Sequence, residues 1–150
     1  MINDSTFRTV FEYYGVESQF NKFLEELFEL GAACSRAINK EIVITDTEFL
    51  EELADVENML RHWELNFGIK MEAVENLPTD TSIVRANCSR LANSMIVDGS
   101  MSKTISDMIM MKTSIKNFKN HHGINAQVDS IREKKMQRVL KRIEEEGADV

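Results

Sequence analysis

The sequence predicts an all-α protein, a bundle of about five to six helices, and three observations carry that expectation. One proline and six glycines in 150 residues are too few for a turn-rich β architecture. Apolar residues recur at steps of three and four over long windows, which is the period of one helix face. Five of the six glycines, at 15, 68, 99, 123 and 147, fall between or at the ends of those windows, and only Gly31 lies within one.

The elements follow in order. A short helix is expected over Ser5 to Tyr14, ended by Gly15. A long one starts near Ser18 and runs to about Asn39, with Phe20, Phe23, Leu24, Leu27, Gly31, Cys34 and Ile38 as its stripe. Glu41 to Ile44 reads as a loop or short extended piece. Thr45-x-x-Glu48 has the capping-box pattern, in which both side chains satisfy free N–H groups at a helix start. It opens a second long helix, Asp46 to about Phe67, with Phe49, Leu53, Val56, Leu60, Trp63 and Phe67 on one side and Gly68 as its stop. Pro78 marks a break. Val84, Cys88, Leu91 and Met95 then predict a helix ending before Gly99, and Ile105, Met108, Ile109, Ile115 and Phe118 another, from Ser102 to about Asn120. Ser130-x-x-Glu133 is a second capping-box pattern, opening a basic last helix that runs to Glu146 and stops at Gly147. No repeat, low-complexity tract or linker divides the chain, so residues 1–150 read as one domain. Met95, Met101, Met108, Met110 and Met111 read as adaptable core filling or a helix–helix contact.

Composition narrows the functional class. A chain that is 43% hydrophobic and 29% charged resembles an ordinary soluble domain able to bury its own core. A net charge of −7 gives no general field for displacing counterions from a nucleic-acid backbone. It suits a protein that gathers divalent cations at carboxylates, and equally one that uses acidity for solubility. No apolar run approaches the roughly 20 residues of a membrane-spanning helix. The segment MINDSTFRTV has neither the basic nor the apolar part of a signal peptide, and a cytoplasmic location is expected. Cys34 and Cys88 match no metal-ligand spacing and read as buried free thiols, in keeping with a reducing compartment.

Two glutamate-rich clusters carry the candidate chemistry: Lys22-Phe-Leu-Glu25-Glu26-Leu-Phe-Glu29-Leu30 and Glu48-Phe-Leu-Glu51-Glu52-Leu-Ala-Asp55-Val56. Glu26/Glu29 and Glu52/Asp55 are i,i+3 pairs, which point the same way on adjacent turns. Packed antiparallel, the two helices would bring four carboxylates together. Uncompensated, those charges oppose folding, and a hard cation with oxygen ligands resolves the conflict, Mg²⁺ being the natural one. The competing reading is a pair of solvated acidic faces. At about 100° per residue, Glu52 falls inside the apolar arc of its helix, between Met59 and Trp63, where a solvated glutamate has no reason to be. Asp55 and Glu26 fall at the edges of their arcs. Glu29 lies on the polar side and is expected to need cover from another helix or a second subunit.

The pattern Glu25-Glu26-x-x-Glu29 followed by Glu52-x-x-Asp55 resembles the signature of the all-α nucleoside triphosphate pyrophosphohydrolases: MazG-like proteins, all-α dUTPases and dCTPases, and phosphoribosyl-ATP pyrophosphohydrolase. The surroundings, Gln19-x-x-Lys22-x-x-Glu25-Glu26-x-x-Glu29-Leu30 and Glu51 to Leu60, look like the short MazG-like proteins of phages and bacteria, and Lys135-x-x-Arg138-x-x-x-Arg142 is similar to their basic ending. The resemblance covers roughly Gln19 to Phe67 and Ile131 to Ile143. It implies that Glu26, Glu29, Glu52 and Asp55 bind Mg²⁺ (Mn²⁺ as an alternative ion), with Glu25 beside them in the catalytic motif. It implies hydrolysis of an NTP or dNTP to a monophosphate and pyrophosphate, in a homodimer or homotetramer. The stretch 69–129 is longer than the family's connection and predicts an inserted helical pair.

Other candidates have bland counterparts. Lys22 could meet a phosphate or make an i,i+4 ion pair with Glu26. Lys135, Arg138 and Arg142 recur along one helix and could clamp pyrophosphate, or form a solvated face near a helix C-terminus. Gln19 is a candidate for a base or sugar contact. His62 reads as packed, His121 and His122 as a helix end, and Trp63 as core. The alternative function is a catalytically inactive relative that binds a nucleotide or a protein, as a phage regulatory or counter-defence factor would. Nucleic acid and membrane are not expected partners.

Overall fold

The computed structural model describes residues 3–72, 74 and 77–147, and among them six α-helices follow one another with no strand. They are α1 (Asp4–Tyr14), α2 (Val16–Ile38), α3 (Thr47–Phe67), α4 (Thr81–Asn93), α5 (Met101–His122) and α6 (Asn125–Gly147), with a π-helical turn, Ser94–Asp98, continuing α4. None is long and apolar enough to cross a membrane.

Side-chain contacts fix how the helices run. Arg36 binds Glu48, Gly31 and Leu27 lie at mid-helix, and Phe20 and Phe23 reach Trp63 at ring separations of 6.3 Å. Numbers that fall along α2 therefore rise along α3, and the two helices are antiparallel, as expected. Ser35 meets Arg85 and Gly31 faces Cys88, so α4 runs antiparallel to α2 on another side. α6 is antiparallel to α3, with Asp55 opposite Lys135 and Asn58 opposite Arg132. α1 crosses the open end of this assembly, parallel to α3, and packs on α3 and α6.

The main core lies between α2, α3, α4 and α5. Phe23, Leu27, Leu30, Phe49, Leu53, Leu91, Met111, Ile115 and Phe118 are sealed in it. A smaller cluster, Phe7, Val10, Met136 and Ile143, joins α1 to α6. Cys34 and Cys88 are buried free thiols, and burial pushes the Cys34 thiol up to about 12. Trp63 packs among Phe11, Phe20, Phe23 and Phe67, and His62 sits edge-on to Phe7. Met95, Met108 and Met111 are core residues, whereas Met101 is exposed.

Two helix starts differ from the capping-box expectation. α3 begins at Thr47 with Asp46 as its cap, and the Asp46 carboxylate accepts from the Val43 N–H at 2.9 Å. Glu48 is held by Arg36, so it does not fold back on the helix end. α6 begins at Asn125, five residues before Ser130, which lies inside the helix. Ile124 and Val128 are both buried, so the apolar step of four that drives this helix starts earlier than the polar signal. The left-handed Gly123, at φ 65°, allows the tight reversal between α5 and α6, in which the Ile124 N–H reaches the Lys119 carbonyl at 3.1 Å. The helices between Gly68 and α6 are no appendage: Val84, Leu91, Met111, Ile115 and Phe118 from α4 and α5 complete the main core.

Phe49 is wholly buried, with its ring 5.7 Å from that of Phe118. Phe49→Ala is expected to lower stability by about 3–5 kcal/mol, seen as a lower urea midpoint with an unchanged slope. A loss under 1 kcal/mol would mean that α5 does not pack on α3 as described.

Candidate metal centre

The local sequence makes this site from two helix faces. Each i,i+3 acid pair projects from adjacent turns, and antiparallel packing sets the α2 pair against the α3 pair. One carboxylate oxygen from each of Glu26, Glu29, Glu52 and Asp55 lies within 4.8 Å of the others. Glu26 is buried, Glu52 and Asp55 are half-buried, and Glu29 is exposed. Glu29 thus joins the cluster without the cover expected for it. Helical side chains lean toward the N-terminus, so a residue on the polar side still reaches the preceding turn.

Two features point to a cation. Glu26 Oε2 and Glu52 Oε2 are both sealed from solvent with no hydrogen-bond partner, an arrangement that costs free energy unless something else coordinates them. The only cationic neighbours of the cluster among the described ion pairs are Lys22, 2.8 Å from Glu26, and Lys135, 2.8 Å from Asp55. Four carboxylates facing two ammonium groups leave a formal excess of two negative charges, matched by a divalent ion. The donor set is all oxygen, which fits a hard cation.

The same crowding raises proton affinity. Burial, with Glu29, Asp55 and Glu26 adding repulsion, pushes the Glu52 carboxyl up to about 8. Burial also lifts Asp55 to about 6, against the lowering effect of Lys135.

Other sequence candidates divide. Lys22 makes the i,i+4 pair with Glu26 and reaches Glu25 at 3.5 Å. Glu25 itself is exposed and touches the centre only through Lys22. A cleft of about 310 Å³ opens beside Glu26 and Asp55, and Gln19, Lys22, Lys135 and Arg142 line it. Arg138 does not: it lies on the outer side of α6 with Lys134 and Lys141. Lys135 and Arg142 both border the cleft, whereas Arg138, between them along the helix, is exposed to solvent.

Sequence reasoning missed the groups that anchor α6. Lys119 Nζ lies 2.8 Å from Glu57, Arg132 lies 3.8 Å from Glu57, and the Arg132 Nε donates to Asn58 Oδ1 at 2.8 Å. These partners come from three helices, and no local pattern announces them. Tyr14, Asn58 and His62 also line the cleft, and only the packing of α1 on α3 brings the first to the last two.

No family model, curated protein or solved structure matches this chain.

In the absence of metal, stability is expected to fall as pH rises. A carboxyl whose folded value is raised stabilises the fold below its unfolded value, 4.5 for Glu52, and loses that contribution as pH passes the folded value of about 8. His62, held near 4 by burial, acts in the opposite sense, losing stability as pH falls from 6.5 toward 4. Between pH 6.5 and about 8 Glu52 therefore governs the slope. Melting temperature in EDTA should drop across that window, Mg²⁺ should reverse the drop, and Glu52→Gln should flatten it and abolish the Mg²⁺ response. A wild-type protein whose melting is indifferent to Mg²⁺ would exclude the metal centre.

Proposed function

We propose that the chain is a Mg²⁺-dependent nucleoside triphosphate pyrophosphohydrolase, cleaving an NTP or dNTP between the α and β phosphates to a monophosphate and pyrophosphate. The observation that carries this reading is the juxtaposition of the four-carboxylate centre, with its two unpartnered oxygens, and a cleft lined by Lys22, Lys135 and Arg142. Its sequence pattern resembles that of the MazG-like enzymes, which use such a centre for this reaction.

Glu26, Glu29, Glu52 and Asp55 would hold the ion. When bound, a divalent cation neutralises phosphate oxygens and lowers the pKa of a coordinated water. The chain's own residues account for the rest. Lys22 and Lys135 pair with Glu26 and Asp55, and become available to phosphate oxygens once those carboxylates are otherwise engaged. Arg142 lines the same cleft and offers the planar fork that suits a phosphate. One of the glutamates of the cluster takes the proton of the attacking water on its carboxylate.

Pyrophosphate release from a panel of NTPs and dNTPs, with Mg²⁺ and with EDTA, tests the proposal. Release should require the metal. Glu52→Gln should lower kcat/KM by about 100-fold or more with the fold intact, Lys135→Met should weaken turnover, and Arg138→Ala should stay within about twofold of the parent, as expected of a surface side chain. A folded, Mg²⁺-binding protein that releases no pyrophosphate from any nucleotide would overturn it.

A further inference from the structure

The cleft beside the metal centre is more than a channel to it. Its volume of about 310 Å³ lies at the small end of the range of about 300–1,000 Å³ typical of small-molecule sites. Glu26, Asp55, Lys22 and Lys135 mark the charged end. Val10, Met59, Met136 and Val139 make apolar walls, so the other end suits an uncharged ring.

Three buried polar side chains line that region, and their hydrogen bonds differ. Asn58 is spent: its Oδ1 accepts from Arg132 Nε at 2.8 Å, and its Nδ2 donates to the Arg132 carbonyl at 3.4 Å. Gln19 is 5% exposed, yet its amide makes no side-chain hydrogen bond among the described residues. Gln19 lines the cleft, so its amide is free to bond a molecule seated there. His62 is 2% exposed, with Nδ1 3.2 Å from the Phe7 carbonyl oxygen. A carbonyl can only accept, so Nδ1 carries the hydrogen and Nε2 is left as a pure acceptor. Burial holds the ring well below its usual value, at about 4, so it is neutral at pH 7.

We infer that this cleft is a nucleobase subsite selective for bases bearing an exocyclic amine, with His62 Nε2 accepting from the amine and the Gln19 amide bonding the adjacent edge. The inference rests on the nucleotide reading above and narrows its substrate class. Cytosine, with its amine at C4, and adenine, with its amine at C6, supply the N–H that Nε2 requires. Uracil, thymine and hypoxanthine present a carbonyl oxygen at the same ring position, setting two lone pairs against each other. A site built to bond a particular donor discriminates strongly against the analogue that lacks it. Gln19, able to donate and accept, satisfies whichever ring atom lies beside the amine.

Titration calorimetry in EDTA, where nothing turns over, tests this with two near-isosteric pairs, CMP against UMP and AMP against IMP. CMP and AMP should bind at least about tenfold more tightly than their partners, the effect of one well-placed hydrogen bond. His62→Phe keeps the ring stacking on Phe7 and should bring each pair to equal affinity. Gln19→Leu should weaken CMP and AMP by about tenfold, with unchanged melting, and it stands as the test if the His62 variant does not fold. Equal binding within both pairs by the parent protein, or unaltered affinity in Gln19→Leu, overturns the inference and leaves pyrophosphohydrolysis standing. Ribose 5-phosphate binding as tightly as CMP overturns it too, since only phosphate would be recognised. No binding by any of these removes the base subsite, while pyrophosphate release with Mg²⁺ decides the nucleotide reading separately.

Discussion

Four carboxylates within reach of one another, on helices that also build the core, are the constraint around which the rest of this molecule is arranged. Glu26 and Glu52 belong to the same helix faces as Phe23, Leu27, Leu53 and Val56. The helices cannot rotate to carry the acids into water without exposing those apolar residues. The protein therefore keeps a local charge conflict, relieved in part by Lys22 and Lys135 and in part by protons, as the raised values of Glu52 and Asp55 record. A divalent cation would relieve it further. Such a site is destabilising by itself and would be stabilising if filled, coupling the fold to an ion.

α6 is the element that turns this cluster into a site with sides. It brings Lys135 to Asp55 and places Met136, Val139 and Arg142 along the cleft, and a separate set of interactions, Lys119 and Arg132 around Glu57 with Asn58, secures it to α3 and α5. Anchoring and chemistry are thus carried by different residues of one helix. The basic character of α6 does not reflect a single phosphate clamp: Lys135 and the exposed Arg142 border the cleft, Arg132 is structural, and Lys134, Arg138 and Lys141 lie on the outer side.

Much of this was legible in the sequence because helices advertise themselves by period. Phe20 to Ile38 and Phe49 to Phe67 give the two long helices within a residue or two of their ends. Glu52 was betrayed by lying in an apolar arc, and its partners by i,i+3 spacing. What failed was what depends on distant partners. Thr45, Glu48, Ser130 and Glu133 make good capping patterns, but Arg36 holds Glu48, and Ile124 with Val128 starts α6 before Ser130. The acids were legible because each pair lies on one helix. The cleft was not, because Tyr14, Gln19, His62 and Lys135 come from four helices and meet only in three dimensions.

The pairing of Asp55 with Lys135 spans 80 residues. During synthesis at about 5–20 residues per second, α2 and α3 emerge several seconds before α6. For that interval the growing chain holds its acids without the lysine that will face Asp55, and without the wall that will enclose them. An ion captured early would help α2 and α3 to associate, and the docking of α6 would complete selection afterwards. The order of elements along the chain thus gives the site a history, with the carboxylates made first and the wall beside them last.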